Sequence, residues 1–185
     1  MTPLEHHPTL AGLRESLCHF PSGTFPEVLL FVTFAVRCVR EAPPGFALSA
    51  SGVVADPRLR SAFEAAERWL SRPSPDALLL DASDVAIRAA AEAGGPSPLV
   101  AIGVGASAWA VACAVSSAAY AAMIGASPEG SAPALREEED RSDASRYALL
   151  AATCAVQAAD AGQRDIAVEF QRGLIREVWS LPLDI

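Results

Sequence analysis

Few residues in this chain of 185 carry the side chains that a metal site or an acid–base site needs. The histidines, His6, His7 and His19, all lie in residues 1–24, close to Cys18. Their spacing matches no familiar set of metal ligands, and catalysis requires polar groups that converge on one point. Because Pro and Gly interrupt the same segment, we predict an irregular N-terminal lead-in over residues 1–24 and no metal site.

A pair of glycines has part of the pattern of a phosphate-binding loop. Gly103 and Gly105 are two positions apart, but neither a third Gly nor a Lys-Ser/Thr pair follows them. No strand clearly precedes them either. Close packing between helices explains small residues at these positions better than phosphate binding does.

Two carboxylates on one predicted helix, Asp81 and Asp84, are the nearest approach to an acid–base pair. They suit a solvated helix face as naturally as a cleft, and no partner acid or base completes them. An enzyme would need an ordered polar cleft around Arg88, Asp84 and Tyr120. We therefore predict a protein that is not an enzyme and that holds no cofactor.

The charge balance favours a basic protein as the partner. All 14 basic residues are Arg, and the formal net charge is −8, which argues against binding to nucleic acid or to an anionic membrane. A run of carboxylates can act as an electrostatic landing site, although a solvated helix face is the simpler interpretation. Trp179 is a candidate anchor for such a site, and a core position suits it equally. The run consists of Glu137, Glu138, Glu139 and Asp140.

The thiols and the N-terminus predict a cytoplasmic protein. No two of the four cysteines have the two-residue spacing of zinc ribbons or redox motifs, so we expect reduced, mostly buried thiols. The first residues lack a basic segment followed by an apolar one, as a signal peptide would have. The cysteines are Cys18, Cys38, Cys113 and Cys154.

Residues 93–128 contain no charge, which raises the question of a transmembrane span. The stretch is diluted by Gly and Ser, has few large aliphatic residues and lacks a basic flank. We predict a central helix that is buried on several sides, and no membrane contact.

Apolar periodicity and helix caps predict the remaining elements. Asp56-Pro57 reads as an N-cap followed by a first-turn proline, and Ser74-Pro75-Asp76 repeats that signal before a helix that ends at Gly94-Gly95. Ser97-Pro98 is predicted to open a third such unit. Pro26–Glu41 is predicted to be helical, with a buried strand as the alternative. Residues 127–141 are a loop or the first turns of a helix, before helices over residues 142–160 and 163–180.

Short punctuated loops between these helices predict antiparallel helix hairpins. The abundance of Ala, the strongest helix former, agrees with helices throughout. We therefore predict an all-α fold, a single-domain bundle of about six helices over residues 25–185.

The sequence DPRLRSAFEAAERWL, residues 56–70, resembles a stretch of the immunity proteins of bacterial polymorphic-toxin systems. The resemblance continues through the Ala-rich helices and covers about residues 54–182. It implies a protein that binds a cognate toxin stoichiometrically, without turnover. The candidate partner-binding residues in this stretch are Arg58, Arg60, Glu64 and Trp69.

Where helices of that family carry histidines, this chain has Ser, Ala, Trp and Tyr, so no histidine-based role is carried over. A second interpretation is a helical adaptor or small subunit of a larger bacterial defence or signalling assembly. An immunity protein predicts self-intoxication when its gene alone is lost, whereas an adaptor predicts loss of an assembly without it.

Overall fold

The computed structural model describes residues 25–42, 56–124, 133–159, 161–178 and 180. This part of the chain contains helices and no strand, which confirms the predicted all-α bundle of about six helices. The predicted lead-in over residues 1–24 lies outside it. The α-helices are α1 (Phe25–Arg40), α2 (Pro57–Ser71), α3 (Leu78–Gly94), α4 (Gly103–Met123), α5 (Pro133–Ala158) and α6 (Arg164–Val178), and a short 3-10 helix (Ala161–Gln163) precedes α6.

Helix α4 lies at the centre of the bundle. Helices α1, α2, α3 and α5 all pack against it, while α6 packs on α1 and α5. Every residue from Gly105 to Ala119 is buried. By length and composition α4 is apolar enough to cross a membrane, and 89% of its most apolar window is buried inside the structure. This burial is the environment of a core helix.

The closest approach between helices is a crossing of two glycines, Gly94 at the end of α3 and Gly105 in the first turn of α4. A Cβ atom added to Gly105 would lie 2.5 Å from the Cα atom of Gly94, and one added to Gly94 would lie 2.6 Å from the Cα atom of Gly105. Real Cβ atoms essentially never come that close to a backbone atom. Of Gly103 and Gly105, the two glycines that the sequence assigned to helix packing, Gly105 makes a backbone contact that only glycine allows.

Buried hydroxyls join α4 to the helices on either side. The Ser116 hydroxyl donates to the Ala112 carbonyl at 2.9 Å, and its oxygen lies 2.7 Å from the Ser83 hydroxyl of α3. Since Ser116 has one proton, Ser83 is the donor between them. On the α5 side, the Ser117 hydroxyl donates to the Ala144 carbonyl at 2.8 Å. Together with the contacts of Gly94 with Gly105 and of Cys113 with Cys154, they show that α3 and α5 run antiparallel to α4.

The start of α2 is as predicted, whereas that of α3 is not. The Asp56 carboxylate accepts a hydrogen bond from the Arg58 backbone N–H at 2.8 Å, with Pro57 in the first turn. Helix α3 begins at Leu78, three residues after Pro75, because the Asp76 carboxylate accepts from the Leu78 N–H at 2.9 Å. Its predicted end is confirmed by Gly95, whose φ of 81° needs glycine.

The prediction that Ser97-Pro98 opens a helix is wrong. The Ser97 hydroxyl does accept a hydrogen bond from the Leu99 N–H, at 3.3 Å, but residues 98–100 form only a turn. Helix α4 begins at Gly103, whose φ is 55°, after an extended residue, Ile102. Ser97-Pro98 therefore starts a turn, as its sequence indicates, but this turn does not continue into a helix.

Helices α1 and α5 resolve the alternatives left open by the sequence. The segment predicted at Pro26–Glu41 is helix α1, not a strand, and its apolar residues from Val28 to Val39 are buried. The acidic run lies on helix, since α5 begins at Pro133 and continues to Ala158. Arg37 joins α1 to α6 through its guanidinium, 3.0 Å from the Glu177 carboxylate.

The described cysteines are free and buried, as expected. Burial raises the pKa of the Cys38 thiol above its ordinary range. A hydrogen bond between Cys113 of α4 and Cys154 of α5, together with burial, raises the pKa of the Cys113 thiol. Thiols in this environment are packing groups, since the reactive thiolate is disfavoured. Cys18 lies outside the described residues.

Replacing Gly105 by Ala tests the glycine crossing, with Gly173 of α6 as the matched control. The new Cβ in Gly105→Ala must push two backbones apart, so we expect unfolding free energy to fall by at least about 2 kcal/mol. Gly173 is exposed in a helix with nothing within 4 Å of an added Cβ. Gly173→Ala should therefore raise the unfolding free energy by about 0.5–1 kcal/mol. Urea denaturation measures both, and a loss of the same size in both variants would contradict the crossing.

Candidate functional site

Two tyrosines from different helices form a stacked pair at one side of the bundle. The rings of Tyr120, near the end of α4, and Tyr147, in the middle of α5, have centroids 5.4 Å apart and planes inclined by 8°. Both side chains are half-buried. Neither phenol has a hydrogen-bond partner in the part of the chain that the structure describes, so both hydroxyls remain available to a bound molecule.

Carboxylates from two helices border this pair. Asp140 and Asp143 precede Tyr147 on α5 by seven and four residues, which places all three on one helix face. Asp84 reaches the pair from α3, close enough to affect the pKa of Tyr120. The acidic tyrosine face, as we name this surface, consists of Asp84, Tyr120, Asp140, Asp143 and Tyr147.

The tyrosine pKa values report this environment. Burial is the main reason that the pKa of the Tyr120 phenol is raised, and the negative charges of Asp143 and Asp140 raise it further. Burial is also the main reason that the pKa of Tyr147 is raised. Both phenols therefore stay protonated at neutral pH, and each O–H remains available as a donor to a bound molecule.

One arginine of the chain already occupies the edge of this face. The Arg146 guanidinium carbon lies 5.6 Å from the centroid of the Tyr147 ring, and its nitrogen lies 3.5 Å from the Asp143 carboxylate. A ring face and a carboxylate together attract a guanidinium through cation–π and ionic interactions. The acidic tyrosine face can therefore bind an arginine side chain.

The same geometry gives no support to acid–base chemistry. The structure brings together Asp84 and Tyr120, two of the residues that a catalytic cleft would need, but no hydrogen bond joins them within the described residues. Arg88 is exposed one turn further along α3. No group of three His, Cys, Asp or Glu residues in the described ranges has the arrangement of a metal site.

The partner-binding residues predicted on α2 lie in different environments. The Arg58 guanidinium pairs with Asp56 at 2.7 Å and with Glu92 at 2.6 Å, so it ties the start of α2 to the end of α3. Arg60 and Glu64 are exposed.

Trp69 is only 5% exposed, and its indole N–H donates to the Ser74 carbonyl at 2.7 Å. This hydrogen bond holds the connection between α2 and α3. Trp69 also lines a half-open cavity of about 330 Å³ beside Arg68, Arg72 and Asp76. Because the cavity presents both signs of charge to solvent, it defines no single class of ligand.

The acidic run is closer to the acidic tyrosine face than to α2. Asp140 belongs to both, and Glu139 is exposed beside it. Glu137 and Glu138 belong to helix α5, but the structure does not describe their side chains. Trp179 lies outside the described residues. Among the described residues, Tyr120 is an aromatic side chain near this run, since the charge of Asp140 contributes to its raised pKa.

The sequence prediction missed Tyr147 and Asp143, although a signal for them existed. Asp140, Asp143 and Tyr147 are spaced by three and then four residues, which is the spacing of one helix face. The pairing of Tyr147 with Tyr120 had no such signal, because these residues lie on different helices. Comparison of the chain with protein families, curated proteins and solved structures gives no match.

Titration of the tyrosines tests the arrangement, since Tyr120 and Tyr147 are the two in the chain. The variant Asp143→Asn removes the carboxylate whose charge contributes most to the raised pKa of Tyr120, so we expect the midpoint of tyrosinate absorbance to move to lower pH. Asp165→Asn on α6 is the control and should leave it unchanged. The contribution of these tyrosines to folding stability should be fully present below about pH 10, the ordinary tyrosine pKa. It should be lost as the pH rises through their raised pKa values, because the folded state then gives up protons that it holds more tightly than the unfolded state does. Identical midpoints in both variants would contradict the arrangement.

Proposed function

We propose that this chain is a non-enzymatic protein-binding module that neutralises a basic bacterial toxin domain in the cytoplasm by stoichiometric binding. The observation that carries the proposal is the acidic tyrosine face, where carboxylates of α3 and α5 lie close enough to a stacked tyrosine pair to raise the pKa of Tyr120. This combination of charge and aromatic surface is suited to a protein partner rather than to a small substrate.

Charge and aromatic surface contribute to binding in different ways. Carboxylates on one face attract a basic partner from a distance and raise the association rate. Tyrosines are frequent anchors of protein interfaces because they bury a large area with few rotatable bonds, and they often pair with arginine. The chain's own Arg146, placed over Tyr147 and beside Asp143, illustrates the contact that a partner's arginine would make.

Two further observations favour a toxin as the partner. Residues 56–70 resemble a stretch of the immunity proteins of polymorphic-toxin systems. Toxins that cut nucleic acid are basic because their substrate is anionic, so an acidic inhibitor gains from long-range attraction to them. The formal net charge of −8 has the sign that such an inhibitor requires.

Deletion of the gene in its native host tests the biological part of the proposal. We expect growth arrest when this gene alone is deleted and normal growth when a neighbouring toxin gene is deleted with it. Wild-type protein supplied from a plasmid should restore growth. Normal growth of the single deletion, accompanied by loss of a larger assembly, would instead identify the chain as an adaptor.

Association kinetics with the toxin recovered from that host test the acidic tyrosine face. We expect Asp143→Asn to slow association by about 2- to 10-fold at low ionic strength and to flatten its salt dependence. Tyr147→Leu should mainly speed dissociation and weaken binding roughly 30-fold, as loss of an interface anchor does.

Asp165→Asn is the matched control, because it removes the same charge from an exposed site on α6. Circular dichroism melting should show that Tyr147→Leu remains folded. If Asp143→Asn and Asp165→Asn bind with equal rates at low salt, and Tyr147→Leu binds normally, the toxin uses another surface.

A further inference from the structure

The side chain of Arg146 folds back onto the acidic tyrosine face. Its guanidinium carbon lies 5.6 Å from the centroid of the Tyr147 ring, although neighbouring residues of a helix point about 100° apart. Asp143 precedes Arg146 by three residues and Tyr147 by four, so it lies next to both on the helix surface. Its carboxylate is 3.5 Å from the guanidinium. The guanidinium of Arg146 therefore lies against both a ring and a carboxylate.

These two contacts hold Arg146 only weakly. Its side chain remains 66% exposed, and the 3.5 Å between its nitrogen and the Asp143 oxygen exceeds the about 2.7–2.9 Å of a charged hydrogen bond. Exposed ion pairs contribute little free energy, because water solvates both partners and two long side chains lose freedom. A group that binds the same ring and the same carboxylate more closely can therefore displace Arg146.

The chemistry of this position favours a guanidinium over an ammonium group. A guanidinium is planar and weakly hydrated, so it can stack on an aromatic ring while its N–H groups pair with a carboxylate. The phenol oxygens of Tyr120 and Tyr147 add acceptors for the remaining N–H groups. An ammonium group is compact and strongly hydrated, and it has no flat surface to stack.

We propose that Arg146 is an internal competitor on the acidic tyrosine face, which an arginine of the partner displaces and a lysine does not. The inference rests on the proposed protein-binding function, because a partner must supply the arginine. It adds that one of the chain's own residues limits the affinity of the face. Replacing Arg146 should therefore strengthen binding, whereas replacing Asp143 or Tyr147 should weaken it.

Two blocked peptides, tetra-arginine and tetra-lysine, test the preference, because they carry the same charge on different groups. NMR titration at low salt follows the ring protons of Tyr120 and Tyr147, the two tyrosines of the chain, and so detects binding at this face. We expect tetra-arginine to bind the wild-type chain about 5-fold more tightly than tetra-lysine. Equal affinities, or binding that leaves both sets of ring signals unmoved, would overturn the proposal.

The variant Arg146→Lys separates displacement from charge, because it keeps the positive charge and removes the planar group. We expect it to bind tetra-arginine about 3-fold more tightly than wild type does. Arg164→Lys is the matched control, since it makes the same replacement at an exposed position at the start of α6 and should leave the affinity unchanged. Circular dichroism should show both variants folded.

An affinity of Arg146→Lys no higher than that of wild type would mean that Arg146 competes with nothing, and the proposal would fail. The same holds if Arg164→Lys gains as much affinity. The peptides also separate this inference from the proposed function, because they require no toxin. A toxin that binds through another surface would reject the function, whereas the peptide preference and the gain in Arg146→Lys would still support displacement.

Discussion

The arrangement of this bundle depends on the contact between two backbones where Gly94 meets Gly105. At that point α3 and α4 approach until no Cβ fits between them. Along the rest of α4, small side chains are buried against the neighbouring helices. Ala and Ser can then fill a core that would otherwise need larger residues, because packing density depends on the distance between helices as well as on side-chain volume.

The sequence was informative wherever a local signal decided the structure. Asp56-Pro57 marks the start of α2 because the carboxylate caps the same turn that the proline begins. The start of α3 was misjudged because Ser74 and Asp76 both suit a cap, and the indole of Trp69 takes the carbonyl of Ser74. That indole belongs to a different element, so local chemistry alone does not reveal it.

The start of α4 was misjudged for a related reason. Ser97-Pro98 forms its expected turn, but the following residues are placed by contacts with Cys154 and Gln157 of α5. Likewise, spacing on α5 is enough to group Asp140 with Tyr147, whereas adding Tyr120 requires knowing that α4 and α5 are antiparallel. The parts of the site that one helix contains were thus predictable, and those that helix packing assembles were not.

The tryptophans at the two connections have a consequence for how local motion is observed. The indole N–H of Trp69 donates to the Ser74 carbonyl, and that of Trp109 donates to the Gly95 carbonyl at 3.1 Å. Each indole proton is therefore protected from solvent as long as its own connection stays closed. Exchange of these two protons with deuterium reports separately on the opening of each connection, including excursions too local to disturb the rest of the bundle.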